Sequence, residues 1–458
     1  MMTWRLLFAV TLGFFTIQIA PGQGYSPSGN LTLPKGITVE SLADPKVAAT
    51  VAEQLEKTYP PPRSEAARML IAILRGSQLN GSDGWFGPPQ SRYSWSWLVT
   101  KNGQDAQSPD AQSPFLRRDQ FQGPLNLFDQ IDRDGDGRIT PTDLDWSDRN
   151  PFVMQSGIIN RVFRRIETSG NGRLTREEWD AFFQSAAMGK DFLSAYDLRG
   201  AVIPRGPMGF SPGDAPSVPV LVKGLFAGEI GSISEGPSVG ATAPDFGLKT
   251  ADGKQMVTLS KVIGPKPVVL VFGNFTCGPF RSLYPDVESL YAKHKNNATF
   301  LMVYVREAHP TDGWKMDSNG KMGVSVKQPT TLGERVEACE MFQKKLQPGM
   351  PVLVDELSDP VGTAYSGMPA RLYVIDTQGK VAYKSGRGPF GFKPMEMEQA
   401  LVMSLWESEK AKKTTLPKAE PLTEKATSQP GPIPLEAENP NALEPQKGLR
   451  KWLRWKSK

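Results

Sequence analysis

The clearest hydrophobic pattern lies in the second half of the chain, where short apolar runs alternate with amphipathic stretches. The runs at 268–273, 299–305, 352–355, 371–376 and 381–384 have strand length, whereas the stretch ending at His294, 332–346 and 394–408 carry helical spacing. Ahead of them, "GATAPDFGLKTADGKQMVTLS" reads as two strands about the turn pair Asp252-Gly253, a hairpin signal. The pattern predicts an α/β domain with a central mixed sheet over 240–408. One helix joins the 268–273 and 299–305 runs, so they are expected as parallel neighbours linked by a right-handed crossover.

Upstream the pattern is sparser. Residues 45–55 and "SEAARMLIAILRGS" read as helices, the second with Ala67, Leu70, Ile71 and Leu74 on one face. They belong to an N-terminal helical and irregular region, 25–118, to which the sequence attaches no chemistry. Proline recurs too often over 191–239 for a long helix, so that segment is expected as a linker. The last segment, 409–458, is rich in Lys, Glu and Pro and is expected as a disordered basic tail. It ends "QKGLRKWLRWKSK", with six basic residues and two tryptophans, consistent with a solvated tail or with weak contact to an anionic surface.

Composition adds three constraints. The first 24 residues place one early Arg5 before an apolar run from Leu6 to Ala20 and then small residues, the layout of a signal peptide cut after Gly24. An extracytoplasmic location, periplasmic or secreted, is the expectation, with an uncleaved anchor as the other reading. Forty prolines and 44 glycines imply long loops, and a net charge of +5 gives no reason to expect a nucleic-acid partner. Only Cys277 and Cys339 occur, which excludes a disulfide scaffold and leaves either one bridge or a reactive thiol.

Residues 119–190 carry two twelve-residue loops with calcium spacing, an expected EF-hand pair. "DRDGDGRITPTD" places Asp132, Asp134 and Asp136 at positions one, three and five, Gly137 at six, the Arg138 carbonyl at seven, Thr140 at nine and Asp143 at twelve. "ETSGNGRLTREE" places Glu167, Ser169, Asn171, the Arg173 carbonyl, Thr175 and Glu178 in the corresponding positions. Oxygen donors at this spacing wrap a hard cation, so Ca2+ is the expected cofactor. The short Asp143 and the less charged second loop predict weaker binding than a full loop. Ile139 and Leu174, at matching eighth positions, are expected to join the two loops in a short ribbon.

The remaining chemistry centres on "VFGNFTCGPF". Loops leaving the C-terminal ends of strands in an α/β sheet converge at one edge, so Cys277 from the first strand should meet Glu307 and His309 from the second. Pro279 suits a first helical turn, which puts Cys277 at a helix N-terminus. There the free amides, the dipole and Arg281 favour thiolate, and a lowered thiol pKa is expected. Glu307 or His309 would then move the proton. The bland alternative is a buried cysteine acting as a small hydrophobe, and Cys339 either resolves an oxidised Cys277 or packs in the core.

Residues 240–401 resemble the iodothyronine deiodinases, thioredoxin-fold relatives of the peroxiredoxins, through "VFGNFTCGPF", "FLMVYVREAHPTDGW", "LGERVEAC", "VLVDEL" and "ARLYVIDTQGKVAYKSGRGPFGF" in that order. The resemblance implies a thioredoxin-like fold and places the family's catalytic selenocysteine on Cys277, with Phe280 at the second thioredoxin cysteine position. It puts the catalytic carboxylate and histidine on Glu307 and His309 and the arginine of the "GRGP" turn on Arg387. An auxiliary cysteine of the family is Phe275 here, a downstream resolving cysteine is Met350, and a second histidine is Pro329. "GMPARLYVID" resembles the thioredoxin-like segment that holds a cis-proline facing the active cysteine, so Met368-Pro369 is expected to be cis. The implied activity is thiol-dependent reduction of a peroxide, a disulfide or a halogenated aromatic, with an external thiol as reductant. A calcium-dependent scaffold with an inactive redoxin domain, or a true iodothyronine deiodinase, are the alternatives.

Overall fold

A computed structural model describes residues 31–415 apart from 62, 77–87, 104–114, 148, 203–215, 232–233 and 390. The expected signal peptide, the tail beyond 415 and part of the 191–239 segment lie outside the described residues.

The N-terminal region opens with helices α1 (Pro45–Thr58) and α2 (Glu65–Leu74). Each starts where its sequence can cap it: the Asp44 carboxylate accepts from Lys46 N ahead of Pro45, and Ser64 Oγ accepts from Ala67 N. Strand β1 (Gln90–Ser91), helix α3 (Trp95–Lys101) and strand β2 (Leu116–Arg117) follow. The calcium-loop region comprises α4 (Leu125–Ile131), β3 (Arg138–Ile139), α5 (Pro151–Ile166), α6 (Arg176–Ala187) and α7 (Ala195–Val202).

Within the expected linker lies a buried helix, α8 (Val218–Phe226). Pro219 stands in its first turn, where proline is tolerated, and Leu221, Val222 and Leu225 are fully buried with Val51, Leu70 and Ile73 in a second small core. The proline that suggested a linker therefore begins a helix.

The α/β domain continues with β4 (Gly247–Thr250), β5 (Met256–Thr258), α9 (Leu259–Val262), β6 (Val268–Gly273), α10 (Gly278–His294), β7 (Thr299–Tyr304), α11 (Asp317–Lys321), α12 (Leu332–Leu346), β8 (Val352–Val354), α13 (Pro360–Ala364), β9 (Arg371–Ile375), β10 (Val381–Lys384) and α14 (Pro394–Thr415). The sheet has eight strands in the order β1-β10-β9-β6-β7-β8-β4-β5. β6, β7 and β8 run parallel and β9 is antiparallel to β6, so the expected mixed sheet and the parallel β6–β7 pair are both present. Every residue of β6 is buried, which explains why it reads as an unbroken apolar run. The β10-β9-β6-β7 core with α10 after β6 and α14 after β10 is the thioredoxin-like arrangement. The Met368-Pro369 peptide is cis, as expected, and so is Gly388-Pro389.

The expected ribbon between the two calcium loops does not form. β3 pairs instead with β2, Leu116 opposite Ile139 and Arg117 opposite Arg138. Ile139 is fully buried, whereas Leu174 is only half-buried. Each loop is anchored to the α/β domain separately. Trp146 Nε1 donates to Gln399 Oε1 of α14 at 2.7 Å, and Gln399 Nε2 donates to the Asp143 carbonyl at 3.0 Å.

The N-terminal region is tied to the sheet by charge. Glu65 of α2 is buried and lies 3.3 Å from Arg371 Nη2 and 3.1 Å from Arg387 Nε, both arginines also buried. Replacing Glu65 by Ala leaves two guanidinium groups without their carboxylate and is expected to cost about 3–5 kcal/mol of unfolding free energy. Urea denaturation of the two proteins checks this, and a loss under about 1 kcal/mol would mean water reaches the arginines.

Candidate functional site

The site forms where β6 and β7 end side by side. The chain leaves β6 through Asn274, Phe275 and Thr276 and enters α10 with Cys277 as its N-cap and Pro279 in the first turn, as the sequence predicts. Three residues past Tyr304 of β7 the chain reaches Glu307.

Asn274 is fully buried and organises the loops. Its Oδ1 accepts from Cys277 N at 3.0 Å and Ala308 N at 3.2 Å, and its Nδ2 donates to the Pro369 carbonyl at 2.9 Å. The Cys277 loop, the loop after β7 and the cis-proline loop thus share one side chain. Thr276 adds a second bridge: its amide and hydroxyl donate to Glu307 Oε2 at 2.9 and 2.6 Å, and its Oγ1 accepts from His309 N at 2.9 Å. Tyr304 Oη donates to the other Glu307 oxygen.

Cys277 and Glu307 are therefore brought to one buried edge, each 1% exposed. Burial raises the Glu307 carboxyl above the usual range, against the opposing hydrogen bonds from Thr276 and Tyr304. This places a carboxyl with a raised pKa beside the Cys277 loop. The imidazole of His309 is half-buried, with Nδ1 3.2 Å from the Trp314 carbonyl and its ring edge-on to the Trp314 ring at 4.5 Å.

Two expectations change. Burial pushes the Cys277 thiol up to about 11, and the nearby Arg281 charge offsets only part of it. A helix N-terminus contributes on the order of 1 kcal/mol, less than the cost of an anion excluded from water. Arg387, placed by resemblance among the reactive groups, is fully buried: it pairs with Glu65, and its Nη2 donates to Ser366 Oγ at 2.6 Å. Its described partners make it a tether for α2. Cys339 lies in the core on α12, fully buried, its thiol also raised by burial, which favours the packing reading.

Sequence reading missed Asn274, Thr276 and Tyr304. The only signal was their position flanking the nucleophile and the carboxylate at two strand ends.

In the first calcium loop, donor oxygens of Asp132, Asp134 and Asp136 lie within 4.8 Å of one another. Burial, and then the charges of Asp143 and Asp136, raise the Asp132 carboxyl, despite hydrogen bonds from Gly137 N and Gly135 N at 3.0 Å. Converging carboxylates that repel one another fit a hard cation. Asp143 at position twelve accepts from Thr140 N and Oγ1, both at 2.8 Å, and closes the loop on itself. In the second loop, Ser169 Oγ donates to Glu167 Oε1 at 2.8 Å, so positions one and three also converge.

Comparison with known proteins identifies two families in the chain. The iodothyronine deiodinase family model matches residues 223–404, and an EF-hand model matches 125–145, the first loop alone. The chain is 31% identical to type I iodothyronine deiodinase of Xenopus laevis, over 35% of this chain and 61% of that protein. It is 32% identical to thyroxine 5-deiodinase of Gallus gallus, over 38% of this chain and 67% of that protein. The chain spans about half to two thirds of the length of the curated relatives it matches. Among solved structures, a thiol:disulfide interchange protein DsbE from Chlorobium tepidum matches 37% of this chain and 99% of its own, at 23% identity and a TM-score of 0.27.

A thiol near 11 is alkylated through a thiolate fraction that grows about tenfold for each pH unit below its pKa. Iodoacetamide modification of Cys277 in the calcium-free protein should therefore keep rising from pH 7 to about pH 10. A midpoint at or below about pH 8.5 would show a thiol that burial does not raise.

Proposed function

This chain belongs to the iodothyronine deiodinase family, and from that premise we propose an exported, calcium-binding thiol oxidoreductase with Cys277 as nucleophile. The observation that carries the reading is the pairing of Cys277 at a helix N-terminus with the buried carboxyl of Glu307, bridged by Thr276.

With a peroxide, the Cys277 sulfur attacks one oxygen and the O–O bond breaks. Cys277 becomes a sulfenic acid while Glu307 supplies the proton for the departing oxygen. With a disulfide, the S–S bond breaks, Cys277 forms a mixed disulfide and the leaving sulfur takes the proton. With a halogenated aromatic, the halogen passes to sulfur and the ring carbon takes the proton, which leaves a sulfenyl halide. Two equivalents of an external thiol then restore Cys277, giving their own disulfide and releasing water from the sulfenic acid, or hydrogen halide from the sulfenyl halide. For the mixed disulfide, one external thiol exchanges with Cys277 and a second with the retained half of the substrate. A carbon–iodine bond of the kind named in the relatives' titles is the halogenated case. Calcium, held by Asp132, Asp134, Asp136, the Arg138 carbonyl, Thr140 and Asp143, would supply positive charge that fixes the loop.

A specific observation favours the scaffold reading as well: Cys277 is 1% exposed and its thiol is raised to about 11. Kinetics separate the two. Cys277→Ser is expected to abolish reduction of hydrogen peroxide, a small disulfide or an iodophenol by dithiothreitol, and Glu307→Gln to lower it about a hundredfold. A fully active Cys277→Ser protein, or a wild type inert to all three substrates, would leave the scaffold. Asp132→Ala is expected to weaken calcium binding in titration calorimetry at least about tenfold, through loss of a first-position carboxylate.

A further inference from the structure

The second calcium loop lies against the nucleophile helix. Gly172, with φ +73°, approaches so closely that a Cβ there would stand 2.6 Å from the Arg281 carbonyl oxygen and 2.7 Å from Pro285 Cδ. A Cβ on Gly170 would stand 2.8 Å from Met322 Sδ, just beyond α11. On the far side of the loop, Arg173 Nη1 donates to Gln347 Oε1 at 3.3 Å and Nη2 to the Leu346 carbonyl at 3.4 Å, at the end of α12. The loop therefore contacts three elements around Cys277.

Arg281 is the shared element. It lies in the first turn of α10 and is 1% exposed. Its Nε donates to the Gly170 carbonyl of the calcium loop at 3.2 Å, its Nη1 to the Phe275 carbonyl beside the nucleophile, and its Nη2 to Asn319 Oδ1 at 2.8 Å. Asn319 Nδ2 in turn donates to the Thr276 carbonyl at 2.7 Å. One guanidinium thus holds the backbone on both sides of Thr276 and the fourth residue of a calcium loop.

The loop's own hydrogen bonds give this contact a trigger. Glu178, at position twelve, accepts from Thr168 N and Ser169 N at 2.9 Å through one oxygen and from Thr175 N at 3.0 Å through the other. A position-twelve carboxylate that grips calcium turns both oxygens to the ion. It would then give up the amides of 168 and 169, the two residues before the carbonyl that Arg281 holds. The Glu178 contacts and the Arg281 contact therefore sit on one short backbone segment, 168–170.

We propose that Arg281 is a positioning residue that clasps the second calcium loop to the helix that Cys277 caps, and that calcium in that loop releases the clasp and opens access to the thiol. This rests on the reading of Cys277 as nucleophile and of the loops as calcium sites. The clasp keeps the thiol out of reach of stray oxidants, and reactivity appears where calcium is abundant.

The test is iodoacetamide labelling of the folded chain at fixed pH, with Cys277 followed by peptide mass spectrometry. Calcium chloride is compared with EGTA and with magnesium chloride, and calcium binding is measured in parallel by calorimetry. Calcium is expected to speed Cys277 labelling at least about tenfold, the signature of a local opening, and magnesium is not. Glu178→Gln is expected to bring the rate ratio with and without calcium to about one, since it lacks the second carboxylate oxygen. Arg281→Lys, which keeps the charge but lacks the fork, is expected to label fast in both conditions. Calcium binding without faster labelling would overturn the clasp alone. An acceleration that survives in Glu178→Gln would assign the response to the first loop and overturn it too. Absence of calcium binding would overturn both the clasp and the calcium reading, and a Cys277 unlabelled in every condition would overturn the clasp together with the nucleophile.

Discussion

The site depends on one buried amide side chain. Asn274 accepts from Cys277 N and Ala308 N and donates to the Pro369 carbonyl, so three loops that are far apart in sequence meet at fixed spacing. A buried amide satisfied on both its oxygen and its nitrogen tolerates little movement, because each displaced partner would lose a hydrogen bond in a place water does not reach. The Thr276–Glu307–Tyr304 bonds then set the carboxyl against the nucleophile loop. Burial has two consequences here: it raises the Glu307 carboxyl and it raises the Cys277 thiol.

The same device, a buried polar group joining separate pieces of chain, recurs outside the site. Glu65 joins α2 to Arg371 and Arg387, Gln399 joins α14 to the first calcium loop, and Arg281 joins α10 to the second. Each is a charged or amide side chain that would be costly to bury alone. They act beside apolar contacts that join the same pieces, since Leu98, Phe121, Phe128, Ile131 and Ile139 share the sheet's buried core.

Much of this was legible in the sequence, for physical reasons that also mark its limits. β6 and β7 are buried on both faces, so they stand out as apolar runs, and the helix between them sets their parallel pairing. The calcium loops show through fixed spacing of oxygen donors, and Cys277, Glu307 and the cis-proline show through their positions at strand ends. What stayed hidden was long-range. Glu65 and Arg371 are separated by 306 residues, and nothing local to either predicts the pair. Leu116–Arg117 takes the ribbon edge that Leu174 would have used, a competition that no single loop reveals. The thiol pKa was misjudged because the helix N-terminus is visible in sequence and the depth of burial is not. The pairing of Arg387 with Glu65 was hidden too, since only the fold brings Glu65 to it.

The central claim is that Cys277 carries a covalent intermediate. The most direct measurement is mass spectrometry of the calcium-loaded chain during exposure to hydrogen peroxide, with dimedone present to trap sulfenic acid. The account predicts a dimedone adduct on Cys277 that disappears when excess thiol is added before the trap. A chain that consumes peroxide while Cys277 stays unmodified, or an adduct on Cys339 alone, would contradict it.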